Sequence, residues 1–227
     1  MKPRFVIAVL LVLALAIPAT MLAQESQASG QSGSKVLMII REGYPADIDL
    51  TLKMEVGVMS LLLNQAGFRV DVASTSGQPI VGSTRKIEKI MRLSEIKVDD
   101  YVGIIMPCMG VGWYPGPPVS PQAIGIVKKA LADGKPVAAA LNASSLLAEA
   151  GLLKGKRYAY FRDPLKTDEK WKLTDLRYEG GIYSGDGVVQ DGKIITSGVC
   201  PVIQMASGKQ DGTVQLTKAF IAAIGPS

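Results

Sequence analysis

Three uninterrupted apolar segments, separated by segments with helical spacing, constrain the fold of this chain more than any other feature. The apolar segments are VLMII at 36–40, YVGIIMP at 101–107 and PVAAAL at 136–141. Runs of this kind are typical of strands that are buried on both faces, as in a parallel sheet. Between the first two, apolar residues recur at helical spacing over 52–66, and a further strand-like segment, RVDVAS, follows at 69–74. The alternation predicts an α/β fold with a mainly parallel sheet sandwiched between helices.

The remaining segments continue this pattern. A helix is predicted from Ser120 to about Asp133, and a last helix covers roughly 213–224. Residues 156–199 contain short strand-like runs separated by glycine-containing turns. Because the chain has no internal repeat and no second domain boundary, residues 35–225 are predicted to form one domain.

The N-terminal segment, residues 1–23, has the pattern of a secretory signal peptide. Cations precede an apolar run, Pro18 ends the run, and Ala23 offers a small-residue cleavage site. The run is shorter than the ~20 residues that span a bilayer, although an uncleaved anchor is the alternative. Residues 24–34 are polar and small, which predicts a flexible linker. We therefore expect a periplasmic or secreted protein with no stable membrane insertion after cleavage.

Composition excludes several functions. The 227 residues include no histidine, so neither a Cys-His nor a Ser-His catalytic pair can form, and histidine-ligated zinc is excluded. Two cysteines are few for a thiolate metal site, so no metal is expected. The glycines of 110–118 lack the spacing of a dinucleotide fingerprint, and no cofactor is predicted. The net charge of +5 includes Lys2 and Arg4 of the signal segment, and no basic stripe indicates nucleic-acid binding.

A sharp strand-to-helix corner is predicted in VAAALNASSLLAEAGLLKG at 137–155. The apolar run ends at Asn142, the small residues Ala143 and Ser144 follow, and a helical pattern then begins. Enzymes often place a nucleophile at such a corner, in a backbone conformation with positive φ. Asparagine tolerates the left-handed region better than most non-glycine residues, so Asn142 is expected to hold it.

This corner and three other segments resemble the PfpI-type intracellular protease and parkinsonism-associated deglycase family, within the class I glutamine amidotransferase-like superfamily. The segments are AAALNASS…LAEAGLLKGKR, IIMPCMG, MEVGVMSLLLNQAGFRVDVAS and VVQDGKIITSGVCP. They occur at the places where the family has its corresponding motifs, and the resemblance covers about residues 35–225. It implies a three-layer sandwich with a flavodoxin-like sheet.

The resemblance also implies roles for individual residues. The family's nucleophilic cysteine falls on Asn142 and its adjacent histidine on Ala143, and a carboxamide cannot replace a thiolate. The family's glutamate falls on Glu55, which should point toward Asn142 and accept a hydrogen bond from its amide. The alternative is that Glu55 is an ordinary solvated charge. The Gly-Gly of the family's oxyanion hole falls on Cys108 and Met109.

The two cysteines should lie near each other, because the resemblance places both loops beside the corner. Cys108 and Cys200 are therefore a disulfide candidate in an exported chain. The alternatives are two buried free thiols or a displaced nucleophile. The complete set of site candidates is Glu55, Cys108, Met109, Asn142, Ala143, Ser144 and Cys200.

Three functions follow from these observations. The first is a non-catalytic, exported family member that binds a small molecule or a partner, with Trp113 and Tyr114 as a possible aromatic wall. The alternative is a hydrolase or amidotransferase-like enzyme that uses Cys108 or Ser144 as an atypical nucleophile. The third is a structural or interaction protein whose site is filled. Relatives commonly dimerise, so a homodimer is expected.

Overall fold

The computed structural model describes residues 33–40, 42, 48–108, 120–162 and 176–225. The signal segment, nearly all of the linker, Met109 and the loop with Trp113 and Tyr114 therefore lie outside the described residues. Within the part that is described, no helix combines the length and apolarity needed to span a membrane.

Eleven strands are found in the described residues. In chain order they are β1 Lys35–Ile39, β2 Arg69–Ser74, β3 Ile80–Val81, β4 Lys86–Ile87, β5 Met91–Arg92, β6 Tyr101–Met106, β7 Val137–Ala140, β8 Arg157–Tyr158, β9 Ile182–Tyr183, β10 Val188–Asp191 and β11 Ile194–Ser197. Seven of them form the central sheet in the order β10-β11-β7-β6-β1-β2-β5, and β3-β4 and β8-β9 form two small sheets. In the central sheet, only the β10-β11 pair is antiparallel.

The described residues also form six α-helices. They are α1 Ile48–Thr51, α2 Gly57–Gln65, α3 Pro121–Ala132, α4 Ser144–Glu149, α5 Pro201–Ser207 and α6 Thr213–Ile224. A π-helical turn, Leu52–Val56, joins α1 to α2 without a break in helical backbone. Short 3₁₀ turns lie at Leu93–Glu95, Val98–Asp100, Leu141–Ala143 and Leu176–Tyr178.

Strands β1, β6 and β7 are buried on both faces, as their continuous apolar runs predict. Successive side chains of a strand point to opposite faces, so Leu37 and Met38 of β1 enter different cores. The Leu37 core contains residues of α3 and α4, and the Met38 core contains residues of α2 and α6. The sheet therefore has helices on both sides, which confirms the predicted three-layer α/β sandwich.

Candidate functional site

The candidate site lies where three neighbouring parallel strands end. Cys108 follows β6, Leu141 follows β7, and Cys200 follows β11. Because β6, β7 and β11 are parallel neighbours, these residues emerge at one edge of the sheet. In open α/β sheets, ligands bind at the carboxyl ends of the strands, so this edge is the natural place for a site.

The strand-to-helix corner has its strained residue at Leu141. Leu141 has a φ of 41°, and it is the one non-glycine residue with positive φ in the described part of the chain. Asn142 lies next to it in a 3₁₀ turn, so the expectation that Asn142 holds the left-handed position is wrong. The apolar run continues through Leu141, although β7 ends at Ala140. The run therefore does not mark the end of the strand, and the corner residue predicted from the sequence lies one position too late. The side chain at the strained position is therefore aliphatic and buried.

The Asn142 side chain is held by a tyrosine, not by Glu55. The Tyr160 hydroxyl donates to Asn142 Oδ1 at 2.7 Å. Glu55 Oε1 instead accepts from the backbone N–H of Cys108 at 3.3 Å. Among the hydrogen bonds of the described residues, the expected Asn142–Glu55 pair is not formed, and the backbone N–H of Asn142 lies close enough to the Cys108 sulfur to oppose the rise of that thiol's pKa.

Ser144 and Ala143 stabilise the corner and face the core. The Ser144 hydroxyl, fully buried, donates to the Leu141 carbonyl at 2.6 Å and lies 2.8 Å from the Tyr178 hydroxyl. Ala143 belongs to the core that contains α3 and α4. This geometry argues against Ser144 as a nucleophile, because its hydroxyl is enclosed by the turn that it closes.

Glu55 is a buried carboxyl group on the π-helical turn. Only 1% of the residue is exposed, so it is not a solvated surface charge. Burial raises the pKa of Glu55 well above its usual range, and the nearby Cys200 and Asp211 raise it further. π-Helical turns inside α-helices frequently occur at functional sites, and here the turn carries the acidic residue of the site.

Cys108 and Cys200 are free thiols that lie side by side. The predicted disulfide is therefore not formed in this structure; the Cys108 thiol instead makes a hydrogen bond to Cys200. That bond and the N–H groups of Ile203 and Val202 lower the pKa of Cys200 to about 7. The same bond, burial and the Glu55 carboxyl raise the pKa of Cys108. Cys200 precedes α5 as its N-cap residue, which explains why backbone N–H groups face its sulfur.

Three groups that can ligate metals converge at this edge. The sulfur atoms of Cys108 and Cys200 and a carboxylate oxygen of Glu55 all lie within 4.8 Å of one another. Their residues are 9%, 2% and 1% exposed, respectively. Chemically, such a group can bind a ligand, ligate a thiophilic cation or supply a thiolate nucleophile.

A parallel α/β sandwich with a strained strand-to-helix turn at its carboxyl edge is the flavodoxin-like architecture of class I glutamine amidotransferase-like proteins. The chain belongs to the DJ-1/PfpI family, whose sequence model matches residues 34–205. This finding confirms the family that the sequence motifs indicated.

Two archaeal proteins and several solved structures are similar to the chain. An uncharacterized protein of Methanocaldococcus jannaschii is 30% identical over 190 residues, covering 83% of this chain and 86% of that protein. Another from Archaeoglobus fulgidus is 33% identical over 139 residues, covering 60% and 75%. The ThiJ/PfpI domain protein of Brachyspira murdochii has a TM-score of 0.60 at 17% identity, covering 84% of this chain and 95% of that one. DJ-1beta of Drosophila melanogaster has a TM-score of 0.54 at 19% identity, covering 84% and 98%. These two structures share the fold.

Sequence reasoning missed three residues that shape the site. The sequence pattern places Leu141 in the strand and gives no signal for a role of Tyr160 or Asp211. Asp211, half-buried, raises the pKa of the neighbouring Glu55. Its carboxylate accepts hydrogen bonds from the N–H and hydroxyl of Thr213, at 3.1 and 2.8 Å. The Asp-Gly-Thr sequence before α6 is a helix-start signal that indicates this local pairing, but not the approach to Glu55.

Proposed function

We propose that the chain is an exported DJ-1/PfpI-family protein that lacks the family's elbow-cysteine chemistry and binds a small molecule or a partner at this edge of the sheet. The observation that carries the proposal is that Leu141 occupies the strained position of the corner. The residue in the strained conformation of the corner has an aliphatic side chain, which can neither attack a carbonyl group nor exchange a proton.

The groups next to Leu141 do not replace a nucleophile and its base. Asn142 carries a carboxamide that accepts a hydrogen bond from Tyr160, and the Ser144 hydroxyl is enclosed in the turn. The chain contains no histidine that would act as a general base. These features support binding over the elbow-cysteine chemistry that the family resemblance implies.

A second candidate function, a thiol enzyme, is favoured by one observation at Cys200. Its sulfur faces the N–H groups of Val202 and Ile203, and its pKa is lowered to about 7. A thiol with such a pKa is about half ionised at neutral pH, and the thiolate is the nucleophilic form. Of the two nucleophiles expected from the sequence, Cys108 has its pKa raised, so this alternative moves to Cys200.

Turnover assays separate the two functions. Peptides and α-oxoaldehydes are suitable substrates, because the family's protease and deglycase names indicate those reactions. We expect no turnover above buffer for the wild-type protein. Turnover that disappears in Cys200→Ser would overturn the binding proposal and support the thiol enzyme.

The role of position 141 is tested by restoring a thiol there. In a Cys108→Ser/Cys200→Ser background, Leu141→Cys should react with iodoacetamide faster than a thiol inside the core, because the elbow conformation holds it at the edge of the sheet and the shorter side chain leaves space beside it. Leu147→Cys in the same background is the matched control and should stay unlabelled, since Leu147 is fully buried in the core. Equal labelling of the two variants would show that position 141 is not the elbow position.

Export and dimer formation complete the proposal. The pattern of residues 1–23 supports export to the periplasm or medium, and cell fractionation tests it. The family resemblance supports a homodimer. Light scattering of the mature protein tests this, and a monomer at micromolar concentration would contradict the proposed homodimer.

A further inference from the structure

Two thiols and a carboxyl group lie together at the candidate site, and these groups are suited to a particular class of ligand. Glu55 comes from the π-helical turn, Cys108 from the end of β6 and Cys200 from the start of α5. The three segments are far apart in sequence, yet their potential ligand atoms lie within 4.8 Å of one another. Zinc–ligand bonds are about 2.0–2.3 Å long, so the ligand atoms of a tetrahedral site are somewhat closer to one another than 4.8 Å. Only small side-chain movements would bring all three onto one ion.

The chemistry of the donors selects the kind of ion. Soft thiolate ligands favour zinc and other thiophilic metals, whereas magnesium and calcium prefer sets made only of oxygen ligands. The sequence alone argued against a metal, because two cysteines are few for a thiolate site. The fold adds the missing ligand by burying Glu55 against both cysteines.

Backbone donors orient the three side chains. The N–H of Cys108 donates to Glu55, and the N–H of Asn142 lies close to the Cys108 sulfur. The N–H groups of Val202 and Ile203, at the start of α5, lie close to the Cys200 sulfur. Hydrogen bonds to the ligating atoms are the usual outer shell of protein metal sites, where they fix the geometry of the ligands.

The neighbours of the cluster are acidic groups, not basic ones. Glu55 lies near Cys200 and Asp211. In the described ranges, no lysine or arginine forms an ion pair with Glu55 or Asp211. Buried anions are stable when they are paired with a cation or coordinate a metal.

We propose that Glu55, Cys108 and Cys200 form a binding site for a thiophilic divalent cation of the zinc class, with the fourth coordination position open to water or to a further ligand. The proposal names the ligand class of the binding site and in that sense rests on the proposed function. A three-ligand site of this kind differs from the closed four-ligand sites that serve structure alone.

Cobalt(II) is the probe, because its thiolate complexes absorb in the near ultraviolet and it replaces zinc in tetrahedral sites. The protein is reduced, freed of reductant without oxygen, and shown by thiol titration to carry both cysteines as thiols. Because the chain has only two cysteines and no histidine, a thiolate-to-cobalt band reports on this pair alone. We expect one cobalt ion per chain, displaced by zinc.

Variants assign the ligands. Cys108→Ser and Cys200→Ser should each change the band and weaken binding. Glu55→Gln should weaken binding at least about tenfold, since even loss of an outer-shell partner has effects of that order. Glu95→Gln, which changes an exposed glutamate, is the matched control and should bind like wild type. Thermal unfolding checks that each variant is folded.

Each result decides the matter. Absence of a band in the reduced, folded wild-type protein would overturn the metal site and leave the proposed non-catalytic function standing. Unchanged affinity in Glu55→Gln would overturn the three-ligand assignment. Wild-type turnover of peptides or oxoaldehydes would overturn the proposed function, whether or not cobalt binds, so the two failures are distinguishable.

Discussion

Single residues at the corner explain how its backbone is kept without a nucleophile. A left-handed conformation costs a non-glycine residue about 1–2 kcal/mol, and Leu141 bears that cost. Burial of its side chain opposes the cost, and the Ser144 hydroxyl ties its carbonyl into the following turn. The Ser145 hydroxyl makes the equivalent bond to the Asn142 carbonyl at 2.7 Å.

Ser144 and Ser145 provide a matched test of this account. Ser144→Ala should lower the free energy of unfolding by about 1–3 kcal/mol, because it removes a buried hydroxyl from two partners. Ser145→Ala removes the same type of bond from a half-buried position, and the loss should be below about 1 kcal/mol. Urea denaturation at neutral pH measures both, and equal losses would contradict the role given to Ser144.

The strained residue of the corner is predicted one position away from where the structure has it. An apolar run shows that a strand is buried but not which residue leaves it, so Leu141 was counted with the strand. The nearness of Cys108 and Cys200 followed from their common edge of the sheet. Their bonding state did not follow, since it depends on side-chain positions that local sequence does not determine.

At the scale of elements, the first helix connects the site to a small hairpin. Asp49 of α1 accepts hydrogen bonds from the N–H groups of Ser83, Thr84 and Arg85, with shortest distances of 2.8, 3.0 and 2.8 Å. These residues join β3 to β4, and the bonds, led by that from Thr84, hold the pKa of Asp49 below its usual value. The π-helical turn that continues α1 carries Glu55, six residues after Asp49.

Asp49→Asn should loosen this hairpin in a pH-dependent way. A carboxyl group with a lowered folded-state pKa stabilises the fold above its unfolded value of about 3.9, and the effect is lost as pH falls through the folded value. At pH 7 the amides of 83–85 should therefore exchange faster in the variant, and the difference should vanish in acid. Hydrogen exchange with mass spectrometry measures it. Glu88→Gln, an exposed carboxyl group beside the hairpin, should leave the exchange unchanged.

Strands and helices with a strong local sequence pattern are predictable, whereas elements with a weak pattern are not. The predicted strand 69–74 and the predicted helix 213–224 have the observed bounds of β2 and α6. Residues 75–98 are mostly polar, and the sequence predicts a short helical pattern at their end. The structure has three two-residue strands there, one 3₁₀ turn at Leu93–Glu95 and the start of a second at Val98. A two-residue strand has no period to detect, because it is defined by its partners.

At the scale of the whole molecule, close packing of α6 against the sheet depends on a glycine. A Cβ atom on Gly103 of β6 would lie 2.8 Å from Phe220 Cζ and 3.1 Å from Pro136 Cγ. Phe220 is fully buried in the core that also contains Cys108 and Cys200. The position of α6, and with it the packing behind the site, therefore requires a glycine at position 103.

Two glycine substitutions test this packing. Gly103→Ala should lower the free energy of unfolding by about 1–3 kcal/mol, the usual range for an overpacked core. Gly125→Ala is the control at an exposed position of helix α3, where a Cβ meets nothing within 4 Å, and should raise stability by about 0.5–1 kcal/mol. Thermal and urea unfolding give both values. A neutral Gly103→Ala would mean that α6 shifts freely on the sheet.

The two ends of the central sheet limit how copies of this protein can associate. One end is β5, which is only two residues long, and at the other end the Arg157 side chain bonds to the Gln190 carbonyl of β10. Short or covered edges offer few free main-chain groups to an incoming strand. Growth of the sheet from one copy into the next is therefore disfavoured, and self-assembly would have to proceed through helical or loop surfaces.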